Sequence, residues 1–258
     1  MLLTTSTRLR WLLLIVLLSA ARAWALAPEA IQGETLGEMI NALQNRHYEG
    51  KSYDDALSAA HLDAYIDTLD PQKMFFTLDD VKSFQVYRTA LDDAGREGNL
   101  DPAFTIFTKY QTNLKARLEA ILAELPTTVP EFDYSLSEYL PIDGDDVAWA
   151  ASSSELDDRW RKRLKNQALS LKLADKSVDE IAPTLIKRYS NQLNRLQQYN
   201  ERDVFAIYAN AITELYDPHT SYFSPRRAEN FDINMSLSFD GIGAVLQVDD
   251  EYTKVVRL

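Results

Sequence analysis

The sequence predicts a mainly α protein: a multi-helix N-terminal domain followed by the first strands of a second, incomplete domain. Three observations carry this reading. From about residue 34 to residue 216, apolar side chains recur at helical spacing, which marks helices with one buried face. Beyond Tyr216 the repeat shifts towards two, the period of a half-buried strand. Glycine is scarce, 8 in 258 residues, which counts against glycine-rich nucleotide-binding folds.

The first 25 residues stand apart. Arg8 and Arg10 form a short basic stretch ahead of the apolar run Trp11 to Leu18, and Ala23-Trp24-Ala25 fits the small-x-small rule for signal-peptidase cleavage. The apolar run is far shorter than the roughly 20 residues that span a bilayer. A signal peptide cleaved after Ala25 and export to an extracytoplasmic compartment are therefore expected. A buried N-terminal helix or an uncleaved anchor is the alternative. Cleavage removes Arg8, Arg10 and Arg22 and takes the net charge from −12 to −15.

The helices follow in order. Leu36, Ile40 and Leu43 share one face, and Leu62, Ile66 and Leu69 another. Val81, Phe84, Tyr87 and Leu91 continue the pattern. Next comes the longest stripe, Phe107, Tyr110, Leu114, Leu118, Ile121 and Leu125, with Asp101 expected as its cap and Pro102 at its first position. Leu156, Trp160, Leu164, Ala168 and Leu171 form a second long stripe behind a Ser152-x-x-Glu155 capping box. Ser177-x-x-Glu180 is a further start signal, although Pro183 implies a kink or a later start. Leu185, Tyr189, Leu193 and Leu196 close one helix, and Val204, Tyr208 and Leu215 the next. Stripes of this width read as core faces.

Residues 126–153 contain Pro126, Pro130, Pro141 and Gly144, and are expected to form a long surface connection free to move. Asp143, Asp145 and Asp146 lack the alternation and closing glutamate of a calcium loop, so no metal is expected there. After Tyr216, Asp217-Pro218-His219-Thr220 and Ser224-Pro225 read as turns. Ser236 to Phe239 alternates as a strand does. Residues 244–248 and 253–256 read as two more strands joined across 249–252. So few strands cannot make a stable sheet alone, so the chain is expected to be the front part of something longer.

Composition excludes several chemistries. There is no cysteine, hence no disulfide, thiolate metal site or cysteine nucleophile. A net charge of −12 and a pI near 4.7 lack the footprint of a nucleic-acid binder. His47, His61 and His219 are the only histidines and none sits within a helical turn of another, so packing or surface roles are expected. Ser221 beside His219 is close in sequence, yet near neighbours in a turn rarely reach proton-transfer geometry. The remaining candidate is Gly241-Ile242-Gly243-Ala244, between two strand-like segments. Successive N–H groups in such a turn can converge on a carboxylate while an adjacent strand edge pairs with a peptide. A plain hairpin turn fits equally well.

At this point a resemblance emerges. Asp217-Pro218-His219-Thr220-Ser221-Tyr222-Phe223-Ser224-Pro225, followed by Asn234-Met235-Ser236-Leu237-Ser238-Phe239-Asp240-Gly241-Ile242-Gly243-Ala244, closely resembles the tail-specific proteases of Gram-negative bacteria. These form the periplasmic branch of the carboxy-terminal processing protease family. Arg46-His47-Tyr48, Leu69-Asp70 and Asp203-Val204-Phe205 resemble family landmarks in the expected order.

The resemblance implies an N-terminal helical domain over residues 26–232 and the start of a PDZ domain over 233–258. It implies that Gly241, Ile242, Gly243 and Ala244 match the loop that binds a peptide's terminal carboxylate, with residues 244–248 pairing with the tail. It further implies a periplasmic location, protein substrates recognised by their C-terminal tails, a periplasmic adaptor protein as a partner, and no cofactor. The family cleaves with a Ser–Lys dyad in a separate protease domain, which has no counterpart here. This chain alone is therefore expected to be inactive. Two readings stay open: the N-terminal fragment of a tail-specific serine endopeptidase, and a non-catalytic secreted helical module that binds an adaptor or substrate.

Overall fold

The computed structural model describes residues 26–236, 243–249 and 252–257. The expectations for the signal peptide, and for the strand over 237–239, lie outside them. Mainly α is borne out: among the described residues nine α-helices precede a single two-stranded antiparallel sheet. The chain divides into two compact units between Ser221 and Tyr222.

The first unit opens with α1 (Ala30–Arg46) and α2 (Asp55–Leu69). Asp54 caps α2, accepting from the N–H groups of Ala56 and Leu57 at 3.1 Å each. The buried residues of these helices include Leu36, Ile40, Leu43, Leu62, Ile66 and Leu69, the faces read from the spacing. The next stripe is not one helix. It breaks into α3 (Leu78–Phe84), a 3₁₀ turn and α4 (Leu91–Arg96), so Phe84 and Leu91 are buried while Val81 and Tyr87 are only partly so. Helix α4 packs on α1 and α2.

Helix α5 (Asp101–Thr128) is the long central element, and two expectations about its ends are corrected. Asp101 is the first helical residue rather than the cap, and its N–H is satisfied by Asn99 Oδ1 at 2.9 Å. Pro126 lies inside the helix rather than in the connection. Leu125 and Val129 are buried on either side of it, and their burial, about 1.5–3 kcal/mol per side chain, offsets one lost backbone hydrogen bond.

Helices α6 (Ser153–Leu173) and α7 (Val178–Gln197) pack beside α5 and each other through a second core containing Leu118, Ile121, Trp160, Leu164, Leu185 and Tyr189. Ser152 accepts from Glu155 N at 3.2 Å, but the return arm reaches one residue further back, Glu155 Oε2 accepting from Ala151 N at 2.8 Å. Pro183 does not delay α7, which starts at Val178 with Glu180 Oε2 accepting from Ser177 N at 2.9 Å. Helix α8 (Glu201–Tyr216) returns against α2 and ends the unit's helical layer.

The connection from α5 to α6 is tied down rather than free. Gly144 is buried so tightly that a Cβ there would lie 1.8 Å from the carbonyl oxygen of Pro71. Lys73 Nζ donates to the Val147 carbonyl at 2.7 Å, Arg159 Nη2 to that of Ala148 at 2.9 Å, and Leu78 N to that of Ala150 at 2.8 Å. Glu138 is held by Arg161 and Lys165, which pull its carboxyl down to about 2. Proline and glycine content predicted irregular backbone correctly. It could not show the side chains that anchor that backbone.

In the second unit, Pro225 opens α9 (Pro225–Ser236) instead of a turn, its missing N–H costing nothing at a first helical position. Ser236 therefore ends a helix rather than beginning a strand. Strands β1 (Val245–Asp249) and β2 (Tyr252–Arg257) pair antiparallel, with Leu246 opposite Val255 and Gln247 opposite Lys254. The alternation placed both strands to within a residue: β1 starts and ends one residue later than expected, leaving Ala244 outside it, and β2 is one residue longer at each end.

Candidate functional site

The predicted carboxylate loop is partly visible. Gly241 and Ile242 lie outside the described residues. Gly243 has φ of +73°, and a Cβ on it would meet nothing within 4 Å, so conformation rather than crowding calls for glycine there. Ala244 leads straight into β1. Among the described residues β1 pairs with β2 alone, leaving its other edge without a described strand. Val245 and Leu246 are each about half exposed. A strand with one open edge, preceded by a left-handed glycine, can accept an extended peptide as a further strand.

The other motifs meet inside the first unit. Residues 46–48, at the end of α1, lie against the Asp217-Pro218-His219-Thr220 turn that ends α8. His47 Nε2 is 3.0 Å from Thr220 Oγ1, and the Tyr48 hydroxyl donates to Asp217 Oδ2. That hydrogen bond pushes the Tyr48 phenol up to about 12 and holds the Asp217 carboxyl below its usual range. Asp217 Oδ1 also accepts from His219 N at 2.7 Å, shaping the turn. Lys51 Nζ donates to the carbonyls of Leu215 and Tyr216 at 2.9 and 3.2 Å, capping the negative end of α8. These contacts form a latch between two chain segments more than 160 residues apart.

Two other landmarks are structural as well. Asp70 is fully buried and its carboxylate accepts from the N–H groups of Met74, Phe75 and Phe76 at 2.7, 2.7 and 2.9 Å. Burial pushes its carboxyl up, against the pull of those three donors. Asp203 closes a capping box with Asn200 at the start of α8, where Val204 and Phe205 enter the core.

His61 sits in the core with Nδ1 2.8 Å from the Tyr53 hydroxyl and Nε2 3.1 Å from the Tyr208 carbonyl. A carbonyl only accepts, so Nε2 carries the proton and Nδ1 accepts from Tyr53. Burial lowers this imidazole to about 3, which makes it a neutral packing group at physiological pH. Among the described residues no three His, Asp or Glu side chains gather as a metal site, and no described hydrogen bond joins Ser221 to His219.

Sequence reasoning missed a groove between α6 and the connection preceding it. Two cavities of about 210 and 110 Å³ adjoin there, sharing Leu140 and Asn166 in their walls. The available signal was the row Leu136, Tyr139 and Ile142, bulky apolar residues in a segment otherwise read as surface loop.

Comparison with known proteins agrees with the motif reading. The family model for the tail-specific protease N-terminal domain matches residues 39–226. The tail-specific protease of Haemophilus influenzae is 35% identical over 217 residues, 84% of this chain. The match covers 31% of that relative, so the chain spans about a third of the relative's length.

Proposed function

Because this chain belongs to the tail-specific protease family and contains that family's N-terminal domain, we propose that it works as the front portion of a periplasmic serine endopeptidase acting on C-terminal tails. In this reading the tail's carboxylate is held by the N–H groups of Ile242, Gly243 and Ala244, and its backbone pairs with β1. The observation that supports it is the left-handed Gly243, one residue ahead of a strand that pairs on one edge only among the described residues. Turns of that kind point consecutive N–H groups at one anion.

The helical unit supplies scaffold and carries no chemistry of its own. A Ser–Lys dyad needs both groups within hydrogen-bond reach, and no serine of residues 1–258 is assigned that role. Export rests on residues 1–25, with cleavage after Ala25. No cofactor takes part in this reading.

The decisive experiment compares a peptide with a free C-terminal carboxylate and its amidated twin. Capture here requires the free acid to bind at least tenfold more tightly. Equal binding sinks the proposal. Detectable proteolysis by the purified chain, abolished by substituting one of its own serines, refutes the assignment of the chain as inactive on its own.

A further inference from the structure

The two faces of the β1–β2 hairpin differ in chemistry. Side chains alternate between faces along a strand, and directly opposed residues share a face. The register therefore puts Leu246 and Val255 on one face, and Val245, Gln247, Lys254 and Arg257 on the other. Arg257 is opposite Val245 and Lys254 opposite Gln247, and both cations are exposed. Among the described residues neither enters an ion pair. The hairpin's own acids, Asp249, Asp250 and Glu251, fall in sequence at the connection between the strands. Arg257 closes the ladder at the other end, opposite a residue that follows the left-handed Gly243 by two positions.

A tail captured at this loop has its register set by the carboxylate. With that group held at residues 242–244, the tail runs antiparallel to β1. Its last residue lies beside Ala244, the second-from-last opposite Val245 and the third-from-last opposite Leu246. Neighbouring strands lie about 4.8 Å apart, which puts the second-from-last residue roughly 10 Å from Arg257 on the same face. Val245 lies between them, and it is small and neutral. A guanidinium on its long stem and a glutamate carboxylate can meet across it. An aspartate is one methylene shorter, and a lysine is repelled.

We infer that the site selects protein tails with glutamate at the second-from-last position, through Arg257. This rests on tail capture at residues 242–244 and adds the side chain that ranks one tail above another. Lys254 is nearer the acids of the connection, so the fourth-from-last residue, opposite Gln247, is read more weakly. An acid at the third-from-last position falls on the apolar face of Leu246 and Val255 and gains nothing.

The test titrates the full chain into octapeptides labelled with fluorescein at the N-terminus. They differ only in the second-from-last residue, glutamate, glutamine or lysine, and each is made as free acid and as amide. Anisotropy gives the affinities at about 20 and about 300 mM salt. Exposed ion pairs are weak and screened by salt, so the glutamate acid should bind about threefold to fivefold more tightly than the glutamine acid at low salt. That advantage should vanish at high salt, and the lysine acid should bind most weakly. Arg257→Gln should abolish the advantage and Arg257→Lys should keep part of it, with circular dichroism confirming that both variants are folded. Moving the glutamate one residue towards the N-terminus should also abolish it. Equal affinity for the glutamate and glutamine acids, or an advantage that survives Arg257→Gln, overturns the inference, while a preference for acid over amide leaves tail capture standing. Equal binding of acids and amides overturns both.

Discussion

Tyr48 donates its phenolic hydrogen to Asp217, joining the end of α1 to the turn that closes α8. The phenol is 74% exposed, so the pair is held by geometry rather than by burial. Its neighbour His47 makes a parallel tie to Thr220. The Asp217-Pro218-His219-Thr220 motif and the Arg46-His47-Tyr48 landmark thus form one structural latch.

That latch has a titration signature. The Tyr48 phenol, raised to about 12, should fall back towards 10 in Asp217→Asn, which removes the charged acceptor. A tyrosine with a raised folded value contributes stability that is fully present below the unfolded value and is lost as pH rises through the folded one. The latch should therefore weaken between about pH 10 and 12. Tyrosinate absorbance in the parent, in Asp217→Asn and in Tyr48→Phe isolates this group from the other tyrosines; an unchanged curve in Asp217→Asn refutes the assignment.

His61 makes the opposite prediction at low pH. Its folded value of about 3 lies below the unfolded value near 6.5, so the unfolded chain binds the proton first. Its contribution is present above about pH 6.5 and falls as pH drops, at about 1.4 kcal/mol per pH unit. Urea unfolding at pH 7 and at pH 5 should show a drop of about 2 kcal/mol from this group. His61→Gln should lose that part of the slope while being less stable at neutral pH.

Asp70 should be the most costly landmark to remove. Alanine there leaves three backbone N–H groups without their acceptor in a buried site. Each orphaned donor costs about 1–3 kcal/mol, so a loss of roughly 3 kcal/mol or more is expected. Denaturant midpoints measure it, and a loss under about 1 kcal/mol would show that the carboxylate is dispensable.

Gly144→Ala should act locally. A Cβ at 1.8 Å from the Pro71 carbonyl oxygen forces the connection away from the start of α3 and its preceding turn. Limited proteolysis should cut within residues 132–152 much faster than in the parent, while overpacking costs about 1–3 kcal/mol. Unchanged cleavage there would mean that the loop tolerates the displacement.

Gly243→Ala tests the carboxylate loop without steric clash, because the space around it is open. The left-handed φ alone opposes the change, at about 1 kcal/mol. Affinity for a free-carboxylate tail should fall several-fold, measured by titration calorimetry, with no change for the amidated peptide.

Much of the fold was legible because helical spacing reports burial directly. Leu118, Leu164 and Leu185 belong to one core and each sits in a stripe visible in the sequence. The failures share a cause. Asp101 and Ser236 follow local rules that their neighbours override, and Pro126 stays helical because buried side chains flank it. At the site, Gly243 was readable since its conformation is a local property. The groove was not, since Arg163, Gln72 and Ile142 lie far apart in the chain.

The sequence by itself determined the helical class, the two strands after it and the family, because periodicity and contiguous motifs are encoded over short stretches. Tertiary structure alone decided what the motifs do. It set His47 against Thr220 and Tyr48 against Asp217, buried Asp70 among three backbone donors and pinned Gly144 to Pro71. Apart from Asp70, whose donors lie four to six residues further on, those are contacts between residues distant in sequence. They form only when packing brings separate elements within hydrogen-bond reach.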